Sequence, residues 1–327
     1  MPDDDLWYLL KVRCMRPARI VLAVNVLDNA DILHEYISWY LSLGVDFILA
    51  YDSGSSDGSQ DILEQFAKRK LLKWELNRKK NIKHYDPSAE LTRRARDEYN
   101  ADWVILCDTD EFLCTQENSV RGLLEEAEKQ DLTVLNVGCF NMTGPPLKPG
   151  DSAPQNFNLR IDRTVKETYE QQLSGNLPVP YIFIGHPPKT IVRTSSFVEY
   201  GPGAHSAASS AGKIGEASQL HFLHYPIRGF DAFDTKVRNF TIWLDENKHL
   251  EAWWGWHWRR WIRLKQEGRL REDYENQFVT PARAQELIRD GVFSIDETVM
   301  NWAKRNQKWT ARFRRQVQKI IPPRLFV

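Results

Sequence analysis

The chain has 327 residues, and 44 Lys and Arg residues balance 44 Asp and Glu residues, so its formal net charge is zero. A dedicated nucleic-acid-binding protein carries a basic surplus, so this balance argues against one. Hydrophobic residues make up 42% of the chain, as in ordinary soluble proteins. The four cysteines show neither a CxxC pair nor a zinc-like spacing. We therefore expect a reduced, cytoplasmic protein without a disulfide framework.

The sequence offers no segment of the kind that enters or crosses a membrane. Met1–Asp5 is acidic, and no apolar core of signal-peptide length follows it. No run approaches the roughly 18 apolar residues of a membrane-spanning helix. Any membrane contact is therefore expected to be peripheral.

The first third of the chain alternates apolar runs with helical patterns. Ile20–Leu27 is rich in β-branched residues and predicts a buried strand. Asp31 is placed to cap a helix from Ile32 to about Leu43, where apolar residues recur at three- and four-residue steps. This alternation is typical of the opening of a doubly wound nucleotide-binding sheet. Next in order we predict a strand at Val45–Tyr51, a helix at Asp61–Lys70 and a strand at Leu72–Glu75.

A buried strand that ends in acids is the feature around which the sequence is organised. The apolar run Trp103–Cys107 is followed by Asp108, Asp110 and Glu111. If the strand continues, Asp108 and Asp110 share one face and Glu111 points away. Carboxylates at the carboxyl end of such a strand are typical of a ligand site, and their oxygens suit Mg²⁺ or Mn²⁺. The plain alternative is a strand end with solvated acids.

The remainder of the chain shows less regular patterns. Gly201–Gly215 is rich in Gly, Ala and Ser and predicts a mobile loop. Gly144–Asp162 also predicts a loop. We predict helices at Ala89–Tyr99, Asn118–Lys129, Phe230–Leu244, Pro281–Arg289 and Asp296–Gln307, and strands at Thr133–Phe140, Tyr181–Phe183, Thr190–Val192 and Leu220–His224.

Polar residues also follow the first two predicted strands. Asn25 and Asp28 stand at the end of the first strand, and Asp52 and Ser53 at the end of the second. Because the carboxyl ends of parallel strands meet at one edge, these residues should share a crevice with the acids. There is no GxGxxG after the first strand and no GxxxxGK[ST] anywhere. A Rossmann dehydrogenase and a P-loop nucleotidase are therefore both disfavoured.

These elements together resemble a GT-A glycosyltransferase of the family-2-like group, related to galactan synthases and bacterial polysaccharide enzymes with an Asp-x-Asp-Glu-Phe signature. The likeness spans roughly residues 18–300 and implies a mostly parallel α/β sheet flanked by helices. We expect a catalytic domain at 1–244 and a helical, Trp- and Arg-rich extension at 245–327. The residues that carry the resemblance are Asp31–Tyr40, Leu43–Asp46, Tyr51–Ser59, Asp102-Trp103, Asp108–Leu113, Lys189, Arg193, His205, His224–Arg228, Phe233, Lys236 and Gly291–Asp296.

The resemblance implies transfer of a sugar, such as a hexose, from a UDP- or GDP-type donor to a hydroxyl of a glycan or lipid-linked acceptor. It implies inversion, and Mn²⁺ or Mg²⁺ on the donor diphosphate. Asp52 would then face the base, Asp108 the ribose or metal, and Asp110 the metal. Asn25, Asp28 and Ser53 are the other expected donor contacts. One departure is Asp28-Asn29, which stands where the family usually has Asn-Glu.

The resemblance also assigns roles beyond the acids. His205 is an expected ligand of the metal or diphosphate, and Lys189 an expected diphosphate contact. His221 and His224 differ by three positions and face opposite sides of a strand, so only one enters the site, and the pattern favours His224. Asp231 is the expected catalytic base, and His224 is the other expected catalytic residue. Glu199 and Glu216, which flank the predicted loop, are the alternatives.

Two other functions share these features. A metal-dependent nucleotidyltransferase or phosphohydrolase also places acids at strand ends. A carbohydrate-binding relative without catalysis would keep the fold alone. The Trp-rich segment at 253–261 is explained first by core packing of helices. Sugar stacking is the second explanation and a membrane interface the third.

Overall fold

A computed structural model describes residues 16–78, 86–116, 119–248, 251 and 255–306. Its first half is the predicted alternation of strands and helices. The strands are β1 (Ile20–Val26), β2 (Phe47–Asp52), β3 (Leu72–Leu76), β4 (Trp103–Leu106), β5 (Glu111–Thr115) and β6 (Leu132–Thr143). The helices between them are α1 (Leu33–Ser42), α2 (Ser59–Lys68), α3 (Pro87–Tyr99) and α4 (Val120–Lys129).

The second half contributes shorter strands and most of the helices. Its strands are β7 (Leu159–Ile161), β8 (Lys189–Arg193), β9 (Phe197–Tyr200), β10 (Ala207–Ser209), β11 (Lys213–His224) and β12 (Phe293–Ile295). Its helices are α5 (Ala153–Asn156), α6 (Tyr169–Ser174), α7 (Phe230–Glu246), α8 (Trp256–Gln266), α9 (Leu270–Glu275), α10 (Pro281–Arg289) and α11 (Thr298–Arg305). Two 3₁₀ turns lie at Tyr181–Phe183 and Pro202–Ala204.

The main sheet brings the carboxyl ends of its central strands to one edge. Strands β3, β2, β1 and β4 are adjacent and parallel, and Val26 of β1 pairs with Asp52 of β2. Beyond β4, strand β8 pairs antiparallel with β4 and β6, and β6 runs parallel to β11. The polar residues that follow β1, β2 and β4 therefore meet at the same edge. The predicted α/β fold, with its parallel central strands flanked by helices, is confirmed.

The core explains why the first strands are recognisable in the sequence. Leu22 and Val24 of β1 pack with α1 on one face, whereas Val21 and Ala23 pack with α3 on the other. All four side chains are fully buried. Such a strand reads as a continuous apolar run, and each large aliphatic side chain buried there contributes about 1.5–3 kcal/mol.

Four local predictions are wrong, each for a tertiary reason. The predicted loop at 144–162 contains α5 and β7, and β7 forms there because it pairs with β6 and β12. Tyr181–Phe183 is a 3₁₀ turn, because Asn141 binds the carbonyl groups of Ile182 and Ile184 and holds the segment curled. The predicted loop at 201–215 contains β10 and the start of β11, which lies along β6 from Lys213 onwards. Asp31 does not cap α1, because its carboxylate accepts two hydrogen bonds from Arg228.

The C-terminal helices share a core with the residues before them. Trp261 of α8 packs edge-on against Phe233 of α7, with ring centroids 5.0 Å apart, and is 2% exposed. Trp256 is also buried, so core packing accounts for these two residues. Trp253 and Trp254 lie outside the described residues. The division at residue 244 stays a prediction. Within the described part of the chain, no helix combines the length and apolar character needed to span a membrane.

We expect the fold to lose stability in acid, partly through His257. Its ring stacks on Tyr181 at 5.3 Å and touches Trp261, and burial lowers the pKa of His257 to about 3. The unfolded chain takes up this proton below pH 6.5, so the unfolding free energy falls as pH drops from 6.5 towards 3. One proton is worth at most about 1.4 kcal/mol per pH unit. His257→Gln should make this fall shallower in urea titrations at pH 4–6.

The internal control is the same pair of proteins between pH 7 and 8. There both states of wild type keep His257 neutral, so the difference between wild type and variant should not change with pH. Parallel pH profiles across the whole range would contradict the prediction.

Candidate active site

The acids after β4 form a tight turn and do not continue the strand. β4 ends at Leu106, Asp108–Asp110 make the turn, and Glu111 begins β5. The Glu111 amide donates to the Asp108 carbonyl at 3.0 Å, and the Asp108 amide donates to Glu111 Oε2 at 2.9 Å. Strand alternation was therefore the wrong basis for predicting their directions. Glu111 is fully buried, and its carboxylate stabilises the turn by accepting from the Asp108 amide.

Asp110 is a buried carboxylate surrounded by cationic groups. It is 2% exposed, and its Oδ2 accepts from Arg228 at 3.0 Å and Lys236 at 2.5 Å. Its Oδ1 lies 4.0 Å from His224 Nε2. Burial alone would raise the pKa of Asp110, but Lys236 and Arg228 hold it well below the usual range. Asp110 is therefore ionised, with one oxygen facing a histidine.

Lys189 connects the other two acids of the turn. Its Nζ lies 2.9 Å from Asp108 Oδ2 and 3.2 Å from Glu111 Oε1. The Lys189 side chain is 3% exposed, whereas that of Asp108 is 68% exposed. Burial opposes the charge, but Asp108 and Glu111 raise the pKa of Lys189 above its usual value. Burial raises the pKa of Glu111 to about 8. The buried lysine thus holds one oxygen of Asp108 while the rest of that carboxylate stays exposed to solvent.

Three histidines near the turn each anchor one ring nitrogen on an oxygen. His224 Nδ1 lies 2.8 Å from Asn141 Oδ1, His186 Nδ1 2.9 Å from the Pro187 carbonyl, and His205 Nδ1 3.0 Å from the Pro188 carbonyl. These oxygens only accept, so Nδ1 carries the proton in each ring and Nε2 presents a lone pair. Burial is the main cause that lowers the pKa of all three, so they are neutral near pH 7.

His224 rather than His221 faces the acid turn, as predicted. His221 points to the other side, where its Nε2 lies 3.6 Å from Asp296. The rings of His224 and His186 are 4.5 Å apart, and those of His186 and His205 are 5.2 Å apart. The structure therefore gathers His186, His205 and His224 into one row beside the turn.

The polar residues after β1 and β2 border a cleft. Asp28 and Ser53 line it, and its volume is ≈ 470 Å³. Asp28 also accepts hydrogen bonds from Ser56 and, at 2.8 Å, from Asn239 of α7. Asp52 Oδ1 accepts from two backbone amides and from Gln60. Asp52 Oδ2 and Asn25 Oδ1 are buried acceptors at this edge, and neither has a hydrogen-bond partner among the described residues.

Helix α7 joins this cleft to the acid turn. Lys236 reaches Asp110, and Asn239, one turn later, reaches Asp28. Arg238 and Ile242 of the same helix line the cleft. Helix α7 therefore contacts both the cleft and the acid turn, and we refer to these two regions together as the crevice. The helix was predicted, but the roles of Lys236 and Asn239 were not. The available signal was the spacing of Lys236 and Asn239 at i and i+3, which places them on one face of the helix.

Asp231 is not gathered with the acid turn. It lies exposed in the first turn of α7, five positions and about 140° around the helix from Lys236. The two alternatives are exposed strand residues, Glu199 on β9 and Glu216 on β11. Glu216 accepts a hydrogen bond from Asn136 at 2.9 Å. The assignment of the catalytic base stays a prediction.

The donor set of the crevice fits a divalent cation. Asp110 Oδ1 and His224 Nε2 face each other at 4.0 Å, a gap that one ion with ligands at about 2.1 Å spans. The Asn141 carbonyl orients His224 in the way that outer-shell groups orient metal-bound histidines. Asp108 offers an exposed carboxylate on the same turn.

Comparison with solved structures finds bacterial glycosyltransferases. The match to the crystal structure of S. aureus TarS has 14% sequence identity and a TM-score of 0.40. It covers 77% of this chain and 43% of the TarS chain. TarS 1–349 in complex with UDP-GlcNAc gives 12% identity, coverage of 64% and 59%, and a TM-score of 0.40. A third match is glucosyl-3-phosphoglycerate synthase from Mycobacterium tuberculosis in complex with Mn²⁺, UDP and glucosyl-3-phosphoglycerate. It has 12% sequence identity and a TM-score of 0.33, and it covers 70% of this chain and 80% of that chain. The chain thus spans less than two thirds of the first two. No curated protein sequence matches it.

The comparison with sequence families is the decisive one. The model of glycosyltransferase family 92 matches residues 24–205, more than half of the 327 residues. The match begins within β1 and extends through the acid turn to His205. The finer placement in a family-2-like group stays a prediction. The chain therefore belongs to glycosyltransferase family 92.

Proposed function

We propose that this protein transfers a sugar from a nucleoside-diphosphate sugar, of the UDP or GDP type, to a hydroxyl group, with inversion and with help from Mn²⁺ or Mg²⁺. The supporting observation is that one helix, α7, contacts both a cleft of ≈ 470 Å³ and a turn of paired acids and cations. A nucleoside needs a cleft with polar acceptors, and a diphosphate needs positive charge at its end.

The cleft end suits the nucleoside. Within the part of the chain that the structure describes, the buried acceptors Asp52 Oδ2 and Asn25 Oδ1 have no hydrogen-bond partner. An unpaired buried acceptor costs about 1–3 kcal/mol, and an N–H of a base or an O–H of a ribose would remove that cost. Ser53 and Asp28 line the cleft itself. These four residues are the proposed nucleoside contacts.

The acid turn suits the diphosphate. Asp110, His224 and Asp108 would hold the divalent ion, which supplies charge stabilisation for the departing nucleoside diphosphate. His205, whose ring lies 5.2 Å from His186, remains the further proposed ligand. Lys189, Lys236 and Arg228 surround the acids and place positive charge where phosphate oxygens would lie. The crevice therefore matches both ends of the donor.

The acceptor would be a glycan or lipid-linked hydroxyl that approaches the sugar from solvent. Inversion requires a base that takes the acceptor proton as the bond forms. Asp231 remains the proposed base, and its exposed position at the start of α7 leaves it free to meet an acceptor. A peripheral membrane contact at a cytoplasmic location is part of this proposal.

Thermal-shift titration with UDP, GDP and their sugars, with and without Mn²⁺, tests the donor. A ligand at 100 times its Kd stabilises the fold by about 2.7 kcal/mol. Asp52→Asn replaces the unpaired oxygen by an amide group and should weaken nucleotide binding at least about tenfold. Asp97→Asn, which changes an exposed carboxylate paired with Arg96, is the matched control. Equal binding by Asp52→Asn and wild type would contradict the proposed base contact.

Product analysis separates this function from the other enzymes. Sugar transfer releases a nucleoside diphosphate, whereas a nucleotidyltransferase or phosphohydrolase releases a nucleoside monophosphate or pyrophosphate. Binding of a donor without either product would instead support a carbohydrate-binding relative.

A further inference from the structure

A cysteine and two histidines converge beside the acid turn. One metal-binding atom each from Cys139, His186 and His224 lie within 4.8 Å of one another. Cys139 and His224 come from the adjacent parallel strands β6 and β11, and His186 comes from the loop before β8. Three separate segments therefore deliver sulfur and nitrogen donors to one point.

The donors are already oriented for a metal ion. Asn141 donates both amide protons to the carbonyl groups of Ile182 and Ile184, which fixes its Oδ1 as the acceptor for His224 Nδ1. His186 Nδ1 is likewise held by the Pro187 carbonyl. Both rings thus direct Nε2 lone pairs away from these anchors. Outer-shell oxygens that fix the tautomer in this way are typical of histidine metal ligands.

We propose that Cys139, His186 and His224 form a second metal site, for a thiophilic divalent ion such as Zn²⁺. One thiolate and two imidazoles suit Zn²⁺, whereas Mg²⁺ and Mn²⁺ prefer oxygen ligands. The thiol gives its proton to solvent as the Zn–S bond forms. Glu111 Oε1, 4.0 Å from Nε2 of His186, is the proposed fourth ligand.

The two metal sites share His224, so they compete. An ion on the Cys139 side draws His224 Nε2 away from Asp110 Oδ1, which lies 4.0 Å from it. Micromolar Zn²⁺ should therefore inhibit sugar transfer that is supported by millimolar Mn²⁺ or Mg²⁺. This consequence rests on the proposed function, whereas Zn²⁺ binding at Cys139 does not.

Titration of the full chain with Co²⁺ tests the site without any sugar donor. We expect visible d–d bands of a four-coordinate ion together with a near-ultraviolet thiolate-to-cobalt charge-transfer band, and Zn²⁺ should displace both. Cys139→Ser should remove the charge-transfer band. The matched control is Cys114→Ser, since Cys114 is also a buried free cysteine but belongs to β5 and contacts the Phe112 carbonyl. This control should keep the band.

A second variant protects the test against misfolding. His186→Gln should weaken Zn²⁺ binding at least tenfold, as measured by competition with a chromophoric chelator in millimolar Mg²⁺. A folded wild-type protein without the charge-transfer band, or a band that Cys139→Ser leaves unchanged, would overturn the proposal. Zn²⁺ binding in a protein that transfers no sugar would overturn the proposed function and leave this site standing.

Discussion

Asp110→Asn should lower kcat for sugar transfer by about a thousandfold, the upper range for losing one group that stabilises transition-state charge. The substitution keeps the shape of the side chain and removes its negative charge. Asp110 is the buried carboxylate that links His224, Arg228 and Lys236. Without its charge, the proposed ion loses its strongest protein ligand. The measurement is kcat at saturating donor and Mn²⁺.

Mn²⁺ binding gives this prediction a readout besides activity. Electron paramagnetic resonance of free Mn²⁺ should show weaker binding to Asp110→Asn and unchanged binding to Asp97→Asn, the exposed control. Urea unfolding of both variants checks that the fold is intact. Full activity in Asp110→Asn would place the metal elsewhere and remove Asp110 from the proposed mechanism.

The parts of the fold that were predictable from the sequence are those in which local pattern and tertiary packing agree. β1 is buried on both faces, so its apolar run is continuous and unmistakable. The helix α10 was predicted with its observed bounds, because Pro281 and the cap Thr280 mark its start. Where such local signals exist, the element and its bounds can be predicted from the sequence.

Local sequence signals gave wrong side-chain directions at the acid turn. Alternation along a strand was applied to Asp108 and Asp110, but the backbone turns between them and Glu111. The turn is stabilised by the Glu111 carboxylate on the Asp108 amide and by Lys189, which comes from a strand some 80 residues away. A local rule has no access to contacts of that range.

The cations around Asp110 were out of reach for the same reason. Arg228 lies 118 positions from Asp110 and 197 from Asp31, and only the fold brings the three together. Arg228 and Lys236 were visible as parts of the family pattern, but nothing in their own neighbourhood showed which acid they meet. Composition likewise predicted a loop at 201–215. It missed the start of β11, because the pairing of Lys213 and Ile214 with β6 depends on residues about 80 positions away.

Arg228 should consequently be the charged residue whose loss costs the fold most. It is 3% exposed and donates to Asp31 and Asp110 at once. It directly precedes Gly229, the residue from which α7 starts, so it ties that helix to the acid turn. Arg228→Met should lower the unfolding free energy by about 3–5 kcal/mol, because breaking a buried ion pair leaves a carboxylate uncompensated. We expect a loss near 3 kcal/mol, the lower end of this range, because Asp110 keeps its ion pair with Lys236.

Urea unfolding measures this as a lower midpoint at an unchanged m-value. The matched control is Arg193→Met. Arg193 pairs with Glu128 at 3.2 Å, but its side chain is 35% exposed. Water screens that pair, so its loss should cost less than about 1 kcal/mol. Adding Asp31→Asn to Arg228→Met should recover little, because Asp31 is 35% exposed and is hydrated once released. If Arg228→Met were no more destabilising than Arg193→Met, the Arg228–Asp110 pair would not hold α7 to the acid turn.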